Sequence, residues 1–188
     1  MKTRLNGTVA VVVGGTRGIG LATASALAAD QATVVLTGTD ASVAKQRAAE
    51  LAEEHGTSVT GFELDVTDSA AVRDVFRAVA KEHGAIDSLI VSAGILEGAL
   101  IGMIDDAHME RMWRTNVAGT ISSLQAAART MMRRRGGSIV LLASIVGERG
   151  NAGQMAYAAS KAAVAGVARS AAKELGRHGI RVNAVAPG

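Results

Sequence analysis

The sequence predicts an α/β fold in which a doubly wound, parallel sheet of six strands lies between two layers of helices. Two observations predict it: short, almost wholly apolar segments recur along the 188 residues, and Ala-rich segments of helical periodicity lie between them. Strands that are apolar on both faces are typical of a sheet covered on both sides. Regular alternation of strand and helix is typical of βαβ units. With one proline, no repeat and no linker, we expect one domain over residues 1–188.

The predicted elements alternate along the whole chain. The first strand is a Val-rich segment, and each later strand is again short and apolar. The six predicted strands cover residues 9–13, 33–36, 58–64, 88–91, 138–142 and 180–185. The helices between them follow the 3.6-residue period and are predicted at residues 19–29, 42–55, 69–83, 109–135 and 155–178.

Three of these helices end in a His-Gly pair. The pairs are His55-Gly56, His83-Gly84 and His178-Gly179. Glycine adopts the left-handed conformation that ends a helix, and a histidine there faces the carbonyl end. We therefore interpret these histidines as helix caps rather than metal ligands.

Composition excludes several classes of site. The absence of cysteine removes disulfides, thiolate nucleophiles and cysteine-ligated metals. His108 has no second ligand at metal-binding spacing, so no metal site is predicted. A net charge of +3 with one Trp, one Tyr and two Phe does not favour nucleic-acid binding. No apolar segment is long enough for a signal core or membrane span, and we expect a cytoplasmic protein.

The main concentration of positive charge is Arg133, Arg134 and Arg135. One interpretation places it at a solvated helix end beside the following glycines, where cations are favourable. The other makes it a docking patch for an acidic partner or a phosphorylated carrier.

A glycine-rich segment directly follows the first predicted strand and precedes a helix. Its spacing is Gly-x-x-x-Gly-x-Gly, from Gly14 through Gly18 to Gly20. Gly14 permits a tight turn, Gly18 lets a pyrophosphate approach the amides of the helix N-terminus, and Gly20 permits close packing of helix on sheet. The context predicts a nucleotide-binding turn; the alternative is an ordinary βα turn.

A second set of residues predicts acid–base chemistry. Tyr157 and Lys161 lie four residues apart, on one face of a predicted helix. A tyrosine hydroxyl has an ordinary pKa of about 10, and a nearby ammonium stabilises its phenolate, which favours general acid–base use. Ser144 follows the fifth strand, at the sheet edge where such folds bind ligands, and Asn116 is a polar residue within an apolar helix. Taken singly, these could be an exposed pair, a helix cap and a helix kink.

Taken together, the chain resembles the short-chain dehydrogenase/reductase family over essentially its whole length, in a Rossmann-type, three-layer fold. The matching motifs, in the family's order, are residues 14–20, Asp65-Val66, Ser92-Ala93-Gly94, Asn116, Ser144, Tyr157 with Lys161, and residues 183–188. The resemblance implies hydride transfer between a nicotinamide cofactor and a carbonyl or alcohol. It implies that Tyr157 exchanges the substrate proton, Lys161 binds the nicotinamide ribose and tunes Tyr157, Ser144 orients the carbonyl, and Asn116 holds a relay water.

The same resemblance implies the cofactor-binding residues, with Asp65 and Val66 bordering the adenine. They are Gly14, Thr16, Arg17, Gly18, Ile19, Gly20, Thr39, Asp65, Val66, Ser92, Ala93, Gly94, Tyr157 and Lys161. At the end of the second strand, small Gly38 and Thr39 leave room for a 2′-phosphate, and Arg17 adds a bidentate donor. NADP(H) is therefore preferred over NAD(H), unless Asp40 contacts the ribose instead of capping the next helix.

Within the family, residues 150–154 and 131–136 look most like the 3-oxoacyl-(acyl-carrier-protein) reductases of fatty acid biosynthesis. That resemblance implies reduction of a 3-oxoacyl thioester and a homo-oligomer, either dimer or tetramer. Two alternatives stay open: an NAD-dependent alcohol or sugar dehydrogenase, and a nucleotide-binding remnant without turnover.

Two departures from the family pattern bear on the site. Val13 and Val91-Ser92 replace residues that hold the turns by side-chain hydrogen bonds, so we expect a looser cofactor site. Relatives usually continue beyond Gly188 with a substrate loop and a seventh strand. We therefore expect either a C-terminally truncated chain or an oligomer partner that covers the gap.

Overall fold

The computed structural model describes residues 5–188; residues 1–4, at the start of the predicted domain, lie outside it. The strands are β1 (Val9–Val13), β2 (Thr33–Gly38), β3 (Val59–Glu63), β4 (Ser88–Val91), β5 (Gly137–Leu142) and β6 (Ile180–Val185). They form one parallel sheet in the order β3-β2-β1-β4-β5-β6. β2 and β3 are added on one side of β1, and β4, β5 and β6 on the other. In such a sheet a crevice opens at the carboxyl ends of the strands where the order reverses, here beside β1 and β4.

The helices cover both faces of the sheet. They are α1 (Gly18–Ala29), α2 (Ala41–His55), α3 (Ser69–His83), α4 (Asp106–Met112), α5 (Gly119–Arg134), α6 (Val146–Arg149) and α7 (Met155–Leu175). A π-helical segment, Trp113–Ala118, joins α4 to α5, and a 3₁₀ turn, Gly176–His178, follows α7. The α/β class and the six strands are thus confirmed.

The predicted helix over 109–135 is wrong in two respects. The helix begins at Asp106, because the Asp105 side chain accepts the His108 backbone N–H at 2.7 Å and caps it. It is also interrupted by the π-helical segment. The short α6 was not predicted; a single turn of four residues leaves no periodic pattern to detect.

Alternating residues of the strands pack into two separate hydrophobic cores, one on each face of the sheet. Val11 and Val13 of β1 pack with residues of α3, α5 and α7. Ala10 and Val12 pack on the opposite face, with residues of α1 and α2. All of β1 is buried, which is why its sequence is uniformly apolar rather than alternating.

The helix ends follow the predicted chemistry at three places and depart from it at a fourth. Gly56, Gly84 and Gly179 adopt left-handed φ angles of 63°, 72° and 72°, as predicted. After α5, however, Arg135 itself is left-handed, at φ 55°, rather than a glycine. Its N–H reaches the Met131 and Met132 carbonyls, so the three arginines end the helix themselves.

Within residues 5–188 no helix is both long and apolar enough to cross a bilayer. Over the same residues, no three His, Cys, Asp or Glu side chains gather as a metal-binding group.

Candidate active site

The glycine turn between β1 and α1 is held by backbone contacts. Gly14 has a φ of 79°, and a Cβ built on it would lie 2.6 Å from the Ala93 nitrogen. A Cβ on Gly20 would collide with the Gly14 carbonyl oxygen. These glycines therefore bring three segments together: the turn, the start of α1 and the loop after β4.

The loop after β4 is tied to β1 by one carbonyl. The Val13 oxygen accepts the backbone N–H groups of Ser92 at 2.8 Å and Ala93 at 2.9 Å. On the other side, the Gly15 N–H donates to the Thr37 carbonyl at 2.8 Å. Backbone bonds thus hold this turn at the positions where Val13, Val91 and Ser92 depart from the family pattern.

A cavity of about 540 Å³ opens above the glycine turn at the carboxyl ends of the strands. Eleven of the predicted cofactor residues line it: Gly14, Thr16, Arg17, Gly18, Ile19, Thr39, Asp65, Val66, Ser92, Ala93 and Gly94. Gly20 does not line the cavity and instead packs against the Gly14 carbonyl.

A second cavity of about 310 Å³ adjoins the first, and Ser144, Tyr157 and Lys161 line it. The two cavities share Ile19 and three residues after β4, so together they form one crevice: the shared residues are Ile19, Ser92, Gly94 and Ile95. Its size and its glycine-lined floor at a helix N-terminus fit a dinucleotide with a small reacting group beside it.

Lys161 is buried and lines the second cavity. Its Nζ donates to the Leu142 carbonyl at 2.7 Å, where β5 ends. The same nitrogen lies 5.8 Å from the centre of the Tyr157 ring. Burial lowers the pKa of the Lys161 ammonium, because a low-dielectric surrounding disfavours its charge. A strand carbonyl thus holds the ammonium near the Tyr157 ring.

Ser144 is buried at the wall of the same cavity. Its Oγ accepts the Val146 backbone N–H at 3.2 Å. Ser144 lies one residue before Ile145, which is the N-cap residue of α6 and makes no side-chain cap bond, so this contact forms a turn into α6 rather than the cap that the sequence offered as an alternative. The Ser144 hydrogen remains able to donate to a ligand oxygen.

Asn116 lies in the π-helical segment and is fully buried. Its Oδ1 accepts the Ile95 N–H at 2.8 Å, and its Nδ2 donates to the Ile95 carbonyl at 2.9 Å and to Ser160 Oγ at 3.0 Å. Ser160 in turn donates to the Tyr157 carbonyl at 2.7 Å. The side chain thus links the crevice wall to α7; the relay-water role stays a prediction.

The acidic residues near the crevice serve different purposes. Asp65 accepts the Thr67 N–H at 2.8 Å and forms the turn that borders the first cavity. Asp40 caps α2 by accepting from the Ser42 and Val43 N–H groups. Hydrogen bonding, chiefly from the Ser42 hydroxyl, lowers the pKa of the Asp40 carboxyl.

Sequence reasoning missed several residues of the crevice. Leu64, Ile95 and Leu142 contribute through backbone groups or apolar walls, which carry no motif. Thr115 directly precedes Asn116, which sequence reasoning did single out, and it lines the first cavity.

Comparison with known proteins gives consistent matches. A sequence model described as short chain dehydrogenase matches residues 8–188. A 3-oxoacyl-(acyl-carrier-protein) reductase of Aquifex aeolicus is 37% identical over 188 residues, which is 100% of this chain and 76% of the reductase. A galactitol 2-dehydrogenase of Agrobacterium fabrum is 41% identical over 186 residues, 98% of this chain and 71% of that enzyme. The crystal structure of an NAD⁺-bound xylitol dehydrogenase superposes with a TM-score of 0.95 at 32% identity, over 98% of this chain and 71% of that one.

Proposed function

Because the chain belongs to the short-chain dehydrogenase family, whose members interconvert CH–OH and C=O groups with NAD(P), we propose that it reduces a 3-oxoacyl thioester with NADPH. The observation that carries this proposal is the single crevice in which Ser144, Tyr157 and Lys161 line one end and the glycine turn lies at the other.

Each residue of the site has a role that its surroundings support. NADPH, when bound, supplies the hydride. Ser144 donates a hydrogen bond to the substrate carbonyl oxygen and orients it. Tyr157 gives its proton to that oxygen, and the Lys161 ammonium stabilises the phenolate that remains. Asn116 positions the wall at Ile95 through its two backbone contacts.

The test is NADPH oxidation with acetoacetyl-N-acetylcysteamine, followed by absorbance. Tyr157→Phe keeps the ring and removes the proton donor, so we expect kcat to fall by about 10²–10⁴-fold with NADPH affinity retained. Wild-type protein that binds NADPH but does not oxidise it with this thioester would contradict the proposal. That result would favour a nucleotide-binding remnant.

The preference for NADP(H) is supported at the tip of β2. Asp40, the acidic residue that would repel a 2′-phosphate, is engaged as the cap of α2. Gly38, Thr39 and Arg17 line the first cavity instead. Thr39→Asp brings a carboxylate to that position, so we expect NADPH affinity to fall while NADH affinity is unchanged. Equal binding of NADH and NADPH by the wild type would contradict the preference.

A second candidate is an NAD-dependent polyol dehydrogenase. It is supported by the similarity to galactitol 2-dehydrogenase, which is slightly more identical in sequence than the Aquifex aeolicus reductase. Oxidation of galactitol or xylitol with NAD⁺, faster than reduction of the thioester with NADPH, would favour this candidate.

We also propose that an acidic carrier protein docks on a basic groove between α3 and α5. The groove is lined by Arg73, Arg77, Arg129 and Arg133, and complementary charge steers association. Arg134 instead pairs with Asp87 at 3.4 Å, so only part of the triple-arginine segment faces this groove. Arg129→Glu should raise the KM for a carrier-bound substrate and leave that for the free thioester unchanged. Equal effects on both would contradict docking here.

We expect a homo-oligomer, a dimer or tetramer, as the resemblance implies. Light scattering at assay concentration tests this, and a monomer would contradict it.

A further inference from the structure

An apolar surface adjoins the second cavity on its open side. The loop between β4 and α4 carries Leu96 and Leu100, which are 55% and 61% exposed, and α7 begins with Met155, which is 52% exposed. We call Leu96, Leu100 and Met155 the apolar track. Large exposed apolar side chains in one region mark a binding surface.

The track is continuous with the site of reaction. Leu96 lines the same cavity as Ser144 and Tyr157. Further along the loop, Ala99 and Gln154 form a parallel bridge, and the Ala99 N–H donates to the Gly153 carbonyl at 2.8 Å. A Cβ built on Gly153 would lie 3.8 Å from Leu100 Cδ2, so Leu100 lies beside the segment that leads into α7 at Met155. The track therefore runs from the cavity wall at Leu96 to the start of α7.

Between Leu96 and Leu100 the loop carries one polar side chain, that of Glu97. Glu97 is turned toward α4, where its Oε2 accepts from Arg111 Nη2 at 2.9 Å and Nε at 3.3 Å. His108 Nδ1 lies 3.7 Å from the same oxygen. A polyol would need hydrogen-bonding partners along this surface, whereas an alkyl chain would not.

We propose that the apolar track holds the alkyl chain of the substrate beyond its reacting carbonyl, so that the protein selects longer over short acyl chains. The inference rests on the proposed reduction of 3-oxoacyl thioesters and adds its chain-length preference. It also assigns Leu96 and Leu100 as specificity-determining residues.

The test measures binding separately from turnover. Butyryl-, hexanoyl- and octanoyl-N-acetylcysteamine lack the 3-oxo group and cannot be reduced, so calorimetric titration of the NADPH-bound protein gives their affinities directly. Complete burial of a methylene tightens binding about fourfold, and a surface that covers one side should give about twofold per methylene. Octanoyl should therefore bind roughly 15-fold more tightly than butyryl.

Two variants locate the effect along the track. Leu100→Gln should reduce octanoyl affinity and leave butyryl affinity unchanged, whereas Leu96→Gln, nearer the carbonyl, should reduce both. Val43→Gln is the matched control, because Val43 is an exposed apolar residue on α2 that lines neither cavity. It should bind the series as the wild type does.

Equal affinities along the series, or no binding of any thioester, would overturn the inference. The same result follows if Leu100→Gln and Val43→Gln are indistinguishable. Chain-length-dependent binding without reduction of the acetoacetyl thioester would overturn the proposed function alone.

Discussion

Replacing Asn116 with alanine tests how the crevice wall is held. The Asn116 side chain pairs with both backbone groups of Ile95 and with Ser160 Oγ, at 2.8, 2.9 and 3.0 Å. Asn116→Ala leaves the Ile95 N–H and carbonyl without these partners, while Ser160 keeps its bond to the Tyr157 carbonyl. Each buried polar group that loses its partner costs about 1–3 kcal/mol.

The expected loss of stability follows from these two groups. Ile95 is only partly buried, so water relieves some of the cost, and we expect the lower half of the range, about 2–4 kcal/mol in total. For a chain of this size, 1 kcal/mol shifts the melting temperature by about 2–4 °C. The variant should therefore melt roughly 4–16 °C below the wild type.

The assay pairs thermal unfolding with NADPH titration. Ile95 borders both cavities, so Asn116→Ala should weaken NADPH binding as well as stability. Thr120→Val is the matched control: it removes one buried bond on the same helix, from Thr120 Oγ1 to the Asn116 carbonyl at 2.7 Å, and touches neither cavity. If Asn116→Ala melts with the control and binds NADPH as the wild type does, the assigned role is wrong.

Three further predictions concern packing and charge. Gly20→Ala should lower stability by about 1–3 kcal/mol, because its Cβ collides with the Gly14 carbonyl. The control is Gly176→Ala, which has a φ of −56° and open space around it and should raise stability by about 0.4–1 kcal/mol. Equal melting temperatures for the two variants would contradict the close packing at Gly20. Burial lowers the folded-state pKa of Lys161 below 10.5, so between these values the unfolded chain binds more protons and wild-type stability rises with pH. Lys161→Met has no ammonium and lacks this dependence. As pH rises toward 10.5, the wild type should therefore gain stability relative to the variant by at most about 1.4 kcal/mol per pH unit. A difference between the two that stays constant with pH in denaturant titrations would contradict burial of the ammonium. Asp40→Ala should lower the melting temperature at neutral pH. The pKa of the Asp40 carboxyl is lower in the folded than in the unfolded chain, so its stabilisation is present above the unfolded-state pKa and is lost as pH falls through the folded-state pKa. A melting-temperature difference between variant and wild type that persists in strong acid would contradict the cap.

Side-chain patterns were sufficient to predict the sheet and the glycine turn. β1 is apolar throughout because it is buried on both faces, and that composition identifies it without any coordinates. Gly14 and Gly20 could be interpreted because only glycine fits where two backbones approach this closely.

What the sequence could not reveal is carried by backbone groups. The partners of Asn116 are the N–H and carbonyl of Ile95, and every residue type except proline has both. The carbonyl of Leu142, which accepts from Lys161, likewise leaves no pattern in the sequence, because every residue has a backbone carbonyl. The left-handed Arg135 was missed because the adjacent glycine is the residue that ordinarily adopts this conformation.

The π-helical segment Trp113–Ala118 has a consequence for how sequence changes act on this chain. Its wider turns hold one residue more per bond than an α-helix, so a deletion of one residue there would let α4 run into α5 as a continuous helix. The apolar face of α5 would still pack on the sheet, but the Asn116 amide would rotate away from the Ile95 backbone groups to which it bonds. Losing one residue here would therefore leave the helices in place and still change the wall of the crevice.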